Sequence, residues 1–208
     1  MKMSKGNFNP KSSVPCRTVA FSGDGKYLAE VNYLGFITIR SSETGEVINR
    51  FMGQTTLSES IRFEPFTNIL YVAGAGFEGY RDFGCVKAYD IPSGERILEL
   101  KGHHDDVIDL CFLSGSKRRV VTVGLDGNVI THNLSENTQW RWEDYNEYIN
   151  TCSPRPNFDG QFAIAGDSDY TFVLDANNNS IVAKLYTPND SNGLISVSYT
   201  HLTLPTIA

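Results

Sequence analysis

The sequence lacks the features that hold many small chains together through disulfides or metals. No Cys-x-x-Cys pair occurs among its four cysteines, which are Cys16, Cys85, Cys111 and Cys152. Three of them lie in or beside strand-like runs, where a buried free thiol is the expected state. No Gly-x-Ser-x-Gly elbow and no His-Glu-x-x-His pair occurs either. We therefore expect no metal site, no cofactor and a reducing compartment.

Long apolar runs and an excess of positive charge are missing as well. The first ten residues contain no apolar run, which predicts neither a signal peptide nor a membrane span. The formal net charge of −6 over 208 residues disfavours a phosphate backbone as a partner. We expect a cytoplasmic protein that binds neither a membrane nor a nucleic acid.

The chain consists instead of short alternating runs separated by turn residues, most clearly from Cys85 to Asn128. Each run has the two-residue period of a strand. Each gap carries the Gly, Asp, Ser or Asn that a tight turn requires. These patterns predict strands and turns throughout, and no helix is needed.

The same stretch resembles the WD-repeat β-propeller family, whose blades end in a Trp-Asp-like pair and begin with Gly-His. Tyr89-Asp90 stands at the first motif and Gly102-His103 at the second. The resemblance implies an all-β fold in which four-stranded antiparallel blades form a ring. It also implies a function in holding other proteins.

Four repeats are visible in the sequence, and they cover about residues 14–52, 57–101, 102–143 and 148–186, with the start of a fifth from 190. Equivalent turn residues give their spacing. Gly45 to Gly94 is 49 residues, Gly94 to Asn137 is 43 and Asn137 to Asn179 is 42. The two shorter intervals lie within the roughly 40 to 45 residues of a propeller blade.

The longer second repeat indicates an insertion between its second and third strands. Phe63 to Gly84 spans 21 residues, whereas Phe112 to Gly127 spans 15, which places the extra residues close to Gly76–Asp82. They predict a long loop. Because aromatic and Arg side chains are enriched among interface anchors, the loop is a candidate partner-binding site, unless its aromatic side chains only cover the neighbouring blade. The candidate residues are Phe77, Tyr80, Arg81, Asp82 and Phe83.

One motif in this repeat favours a different function. Residues 74–79 spell Gly-x-Gly-x-x-Gly directly after a predicted strand, as in a dinucleotide-binding turn. That turn needs a helix immediately afterwards, because the pyrophosphate binds the amide groups of the helix N-terminus. The alternating run from Cys85 to Tyr89 predicts a strand there, so we favour a glycine-rich hairpin connection.

His103 is the other residue that could carry chemistry. The resemblance implies that it bonds an Asp in a later turn of its blade, a place that Asp126 holds, and that Thr122 completes the network. His132 stands where the family usually has Trp. We interpret the group as structural, together with Tyr89 and Asp90, and a catalytic His-Asp dyad is the alternative. No motif places a nucleophile, so we assign no catalytic residue.

Lys117-Arg118-Arg119 is the most basic run in the chain. It lies at the tip of a predicted hairpin, where a solvated charge run is the usual explanation and a nucleic-acid patch the alternative. We expect these three side chains to be solvated.

Both ends of the chain lie outside the repeats. Residues 1–13 are expected to be a mobile lead or a ring-closing strand. Residues 197–206 resemble the translation of a transposon-end adapter used in sequencing libraries, so we expect residues 196–208 to be a non-native tail. On this interpretation the protein is a fragment of a larger ring.

These patterns together predict a non-catalytic scaffold that binds protein partners through the loops of its propeller faces. The alternative, from a different class, is a propeller-fold hydrolase or lactonase-like enzyme with a metal in the central channel. That alternative needs carboxylates or histidines that converge on the channel.

Overall fold

The structure is a computed structural model that describes residues 14–53, 55–78, 81–115, 117–143, 145 and 147–186. The side chains of residues 55–57, 76–78 and 81–83 lie outside that description, as do the candidate lead, the start of the fifth repeat and the candidate non-native tail.

Within these residues, strands pair into four sheets, each of four antiparallel strands in sequence order. We call the sheets the first to fourth blades. The first blade has β1 (Cys16–Phe21), β2 (Tyr27–Asn32), β3 (Phe36–Ser41) and β4 (Val47–Met52). The second blade has β5 (Thr55–Phe63), β6 (Ile69–Glu78), β7 (Arg81–Asp90) and β8 (Arg96–Leu100).

The two remaining blades have shorter strands. The third blade has β9 (Val107–Phe112), β10 (Arg119–Gly124), β11 (Val129–Asn133) and β12 (Thr138–Trp142). The fourth blade has β13 (Ile149–Pro154), β14 (Gln161–Gly166), β15 (Tyr170–Asp175) and β16 (Ser180–Tyr186).

Equivalent turns connect the third and fourth strands of every blade. Each turn contains one residue with a left-handed backbone. These residues are Gly45 (φ 74°), Gly94 (φ 74°), Asn137 (φ 52°) and Asn179 (φ 57°). Gly adopts this conformation without strain, and Asn tolerates it better than most residues do. The spacing of turn residues in the sequence therefore reflects one backbone requirement repeated four times.

Blades pack face to face, so each pair of neighbours shares a separate apolar core. Ile37 and Ile39 of the first blade pack with Leu70 and Val72 of the second. The next core joins the second and third blades through residues that include Tyr71, Ala88, Leu110 and Val120. The last joins the third and fourth through residues that include Val121, Trp142, Phe162 and Phe172.

First strands of neighbouring blades contact one another, β1 with β5, β5 with β9 and β9 with β13. The blades therefore converge at their first strands and carry their fourth strands at the outside. The predicted fold class is confirmed: the chain is all-β and consists of four-stranded antiparallel blades.

Candidate functional site

The insertion in the second blade lengthens a hairpin and does not form the loop expected from the sequence. Strands β6 and β7 each contain ten residues and remain paired from Ile69↔Asp90 to Glu78↔Arg81. Strand β5 is lengthened as well, and it pairs with β6 as far as Thr55↔Gly76. The loop prediction was wrong because both inserted segments can satisfy their backbone N–H and C=O groups by continuing the ladder.

The predicted anchor residues lie at the end of this hairpin. The backbones of Phe77 and Asp82 face each other in the ladder, and those of Arg81 and Phe83 pair with Glu78 and Gly76. Their side chains lie outside the described part of the structure, and Tyr80 lies outside it altogether.

The glycine motif of residues 74–79 does not precede a helix. Gly74 and Gly76 belong to β6, and residues 81–90 form β7. A dinucleotide turn would need a helix N-terminus at that point, so the geometry does not support a nucleotide site here.

The His103 group forms a compact network in the third blade. His103 Nδ1 lies 2.9 Å from Asp126 Oδ1, and Nε2 lies 2.8 Å from Thr122 Oγ1. His132 Nε2 lies 3.2 Å from the same hydroxyl. Because a carboxylate only accepts, the Nδ1–H of His103 donates to Asp126. Both ring nitrogens of this buried imidazole thus have partners within the blade.

Asp126 also receives two backbone donors, from His104 N at 2.9 Å and Asn128 N at 3.1 Å. Burial alone would raise the pKa of Asp126, but the hydrogen bond and charge of His103 and these further donors hold it well below its ordinary value. The carboxylate is therefore ionised and joins the start of the third blade to its β10–β11 turn.

His132 is uncharged at neutral pH, unlike the ionised Asp126. Burial, and secondarily the nearby His103, lowers the pKa of His132 to about 4. At neutral pH this imidazole is uncharged, and its Nε2–H can donate to the Thr122 hydroxyl. His132 therefore takes a structural part in the network.

Gly124 allows His103 to reach its partners. A Cβ at this position would lie 2.5 Å from the Asp106 carbonyl oxygen and 3.2 Å from His103 Nδ1. The chain can therefore pass this close only at a glycine.

Tyr89 and Asp90 serve the neighbouring blade. The Tyr89 ring is buried 5.5 Å from the Phe51 ring of the first blade. Asp90 Oδ2 accepts bonds from the Ser93 backbone N–H and hydroxyl at 3.0 and 2.6 Å. The pair thus combines packing between blades with closure of the turn into β8.

Asp109 is an important residue that sequence reasoning did not identify. Its buried carboxylate lies on β9, where first strands converge. Oδ1 accepts from Ser60 Oγ at 2.7 Å and lies 3.2 Å from the Arg62 guanidinium. Oδ2 accepts from Thr151 Oγ1 and Cys152 N, both at 3.1 Å. One side chain therefore links the second, third and fourth blades.

Lys117-Arg118-Arg119 was expected to be solvated, and that expectation is wrong for Arg119, whereas Arg118 is exposed and also ion-paired. Arg118 Nε donates to Glu64 of the second blade at 2.7 Å. Arg119 is buried and donates to Asp159 and Asn177 of the fourth blade at 2.6 and 2.9 Å. Adjacent arginines on an extended segment point to opposite sides, so each reaches a different neighbouring blade. Lys117 is exposed as expected.

In the part of the chain that the structure describes, no group of three or more His, Cys, Asp or Glu side chains is placed to hold a metal ion. Over the same residues, no helix is long and apolar enough to cross a membrane.

Comparison with protein families gives a match between residues 94–132 and the WD domain, G-beta repeat. The match covers the turn into β8, the Gly102-His103 pair and the first three strands of the third blade. A search of the curated proteins found no match.

Solved structures with the same fold include the RRP9 WD40 repeats (TM-score 0.68, 22% identity, 81% of this chain and 48% of that one). A chain of the Mitotic Checkpoint Complex gives a TM-score of 0.72 at 16% identity, with 83% of this chain and 51% of that one covered. Sqt1 of Saccharomyces cerevisiae gives 0.69 at 15% identity, with the same coverage. The chain thus spans about half the length of the proteins it resembles, and the likeness concerns the fold.

Proposed function

We propose that this chain of WD-repeat propeller blades is a non-catalytic scaffold that binds protein partners, with the long β6–β7 hairpin as its principal binding element. The fold supports the general role, because WD-repeat propellers are mostly protein-interaction scaffolds. The third blade also supports a non-catalytic role, since both ring nitrogens of His103 are engaged, with Asp126 and Thr122.

One observation carries the assignment to the hairpin. Three strands of the second blade are lengthened together, whereas the strands of the other blades contain five to seven residues. The ladder between β6 and β7 is unbroken up to Glu78↔Arg81. A hairpin held in this way loses little conformational entropy when it binds, which favours affinity.

The residues at its end have the composition of a binding site. Phe77, Tyr80 and Phe83 are aromatic, and Arg81 and Asp82 lie between them. Aromatic and Arg anchors each contribute about 2 kcal/mol or more at many interfaces. We propose these five residues as the contact set.

The test compares affinity capture from a cell extract by the wild-type chain and by the double variant Phe77→Ala and Tyr80→Ala, with quantitative mass spectrometry of the bound proteins. We expect at least a tenfold loss of the captured partner. The matched control is Ile97→Ala, which removes an exposed apolar side chain from β8 of the same blade and should leave capture unchanged. Equal capture by the double variant and by Ile97→Ala would contradict the assignment to the hairpin.

A further inference from the structure

A cleft of about 150 Å³ lies between the outer strands of the second and third blades. Residues 98–101, in and just after β8, form one wall, and the other wall includes His132, Leu134 and Gln139 of the third blade. Pockets that hold drug-sized molecules are larger, at roughly 300–1,000 Å³. The cleft therefore has room for one side chain of a partner and not for a large ligand.

The interface between the first and second blades shows what the chain itself places at the same position. Asn49 of β4 donates from Nδ2 to the backbone carbonyl oxygens of Ile91 and Pro92, at 2.9 and 3.2 Å. A side-chain carboxamide of the first blade thus binds the backbone that follows β7 of the second blade.

Leu98 holds the place of Asn49 at the cleft, because each pairs with the third strand of its blade just before a shift in register. The pairs are Leu98↔Ala88 and Asn49↔Ile39. The Leu98 side chain packs against the core between the second and third blades. It has no N–H group, so it cannot supply the hydrogen bonds that Asn49 supplies.

Leu134 holds the place of Ile91 on the opposite wall of the cleft. Leu134 directly follows β11, and its N–H donates to Arg118 O at 2.8 Å. Ile91 directly follows β7, and its N–H donates to Asn68 O at 3.1 Å. The carbonyl oxygen of Leu134 is therefore the counterpart of an acceptor that Asn49 uses at the first interface.

The interface between the third and fourth blades has another side chain at this position. Trp140 pairs with Thr131 of β11, and so holds the place that Asn49 and Leu98 hold in their blades. Its indole packs against the core that the third and fourth blades share. The three interfaces therefore have a carboxamide, a leucine and an indole at one position, and the cleft lies at the leucine.

The charged residues that line the cleft pair with each other. Lys101 Nζ lies 3.8 Å from Glu99 Oε1, and Arg96, outside the cleft, lies 3.3 Å from the other oxygen of Glu99. Gln139 adds an exposed neutral carboxamide on the opposite wall. Among the described lining residues, no unpaired charge selects a charged ligand, which favours a neutral group that both donates and accepts hydrogen bonds.

We propose that the cleft binds an Asn or Gln side chain of a protein partner, whose carboxamide donates to the Leu134 carbonyl as Asn49 donates to the Ile91 carbonyl. The oxygen of that carboxamide can accept from the Gln139 side chain. A carboxylate has no N–H to donate, and an aliphatic side chain would leave the Leu134 carbonyl without a donor. The inference rests on the proposed scaffold function, but its residues are separate from the hairpin, so either assignment can fail alone.

Peptides selected from a displayed random library test the cleft directly. Selection on the wild-type chain is followed by counter-selection on the Leu98→Asn chain, whose own carboxamide then takes the place of the ligand. We expect the remaining peptides to share one Asn or Gln residue. Replacing that residue in the peptide by Asp or by Leu should weaken binding about tenfold or more, because neither side chain can donate to the carbonyl.

Matched variants of the chain locate the contact. Asn49→Leu is the reverse exchange at the equivalent position of the first interface, and it should leave peptide binding unchanged. Gln139→Leu alters an exposed residue of the cleft wall, so it should keep the wild-type Tm and weaken binding about threefold or more. This second variant keeps the test valid if Leu98→Asn lowers the Tm.

The hairpin variant separates this proposal from the preceding one. The chain with Phe77→Ala and Tyr80→Ala should bind the selected peptides as the wild type does. Loss of binding in that variant would assign the peptides to the hairpin and overturn the cleft. So would the absence of any peptide that survives counter-selection, surviving peptides without a shared Asn or Gln, equal binding by Gln139→Leu, or an equal loss in Asn49→Leu and Leu98→Asn.

Discussion

The two inner blades and the two outer blades of the described chain bury their central strands differently. In the third blade, all six residues of β10 are buried. In the first blade, buried and partly exposed residues alternate along β2 and β3, and β14 of the fourth blade alternates as well. The second blade resembles the third, since residues 70–75 of β6 are all buried.

Residues at equivalent positions make the comparison specific. Val120 pairs with Phe112 in the third blade as Leu28 pairs with Phe21 in the first. Val120 is fully buried against the second blade, whereas Leu28 is only half-buried. Burial in this molecule therefore depends on whether a neighbouring blade covers the face, as expected where each repeat contacts only its neighbours.

Polar residues follow the same rule. Thr122 of the third blade takes part in a buried network, but the equivalent residue of the first blade is Glu30, which forms a half-exposed ion pair with Arg40 at 3.0 Å. We therefore expect one kind of substitution to lower the free energy of unfolding strongly between two blades and only slightly on an outer face.

The largest effect should come from a charge placed between two blades. Val121 is fully buried between the third and fourth blades. Val121→Lys buries an unpaired ammonium group, so it should destabilise the chain by more than about 4 kcal/mol and abolish cooperative urea unfolding. Ala163 holds the equivalent position in the fourth blade and is only half-buried. Ala163→Lys should change the stability by less than about 1 kcal/mol, and equal damage by both variants would show that the comparison of the two faces is wrong.

The second-largest effect on stability should come from the carboxylate of Asp109, which links three blades. Asp109→Asn places an NH₂ group where Oδ2 accepts from Thr151 and Cys152. The Cys152 N–H then faces another donor, and the charge of the carboxylate between the three blades is lost, so we expect a loss of about 2–4 kcal/mol in the free energy of unfolding. The control is Glu30→Gln on the first blade, which should cost less than about 1 kcal/mol because its ion pair is half-exposed. Urea titrations of both variants measure the difference, and a loss no greater in Asp109→Asn would contradict it.

The smallest effect on stability at neutral pH should come from His132, because the contribution of this side chain changes only in acid. The folded-state pKa of about 4 lies below the ordinary value of 6.5, so the unfolded chain binds this proton first. Stability should fall as the pH is lowered from 6.5, by about 3 kcal/mol at pH 4. His132→Gln keeps an N–H donor for Thr122 but does not titrate, so its stability should change less over the same interval.

The choice of pH range isolates this effect. Measurements above pH 4 avoid the contribution of Asp126, whose lowered pKa adds stability that is lost only as the pH falls below its ordinary value of 3.8. An unchanged slope in His132→Gln would show that His132 is not the group that titrates.

Much of this structure could be predicted from local patterns. Alternating runs and turn residues indicated the strands, because the pleat and the left-handed turn positions depend on residues close in sequence. The family resemblance that Gly102-His103 carries implied Asp126 and Thr122 as partners, and the structure brings them within 2.9 and 2.8 Å of the imidazole. That network lies within one repeat, so residues 102–132 contain all of its members.

Three features could not be predicted in this way. The insertion seemed to be a loop because glycines interrupt the strand pattern, but backbone pairing across the hairpin outweighs that preference. Arg118 and Arg119 formed a charge run in the sequence, yet their partners are Glu64 and Asp159, which lie 54 and 40 residues away.

Asp109 was overlooked for the same reason. Its partners Ser60 and Thr151 come from two other blades, and no local motif contains all three.

The sequence by itself determined the class of the fold, the period of the repeats and the positions of the turns, because these depend on side-chain alternation and on backbone conformations of single residues. Only the tertiary structure decided which faces are buried and which charges are paired. Those properties depend on the blade that packs against each residue, and the packing of one blade against the next brings together residues some 40 to 55 positions apart.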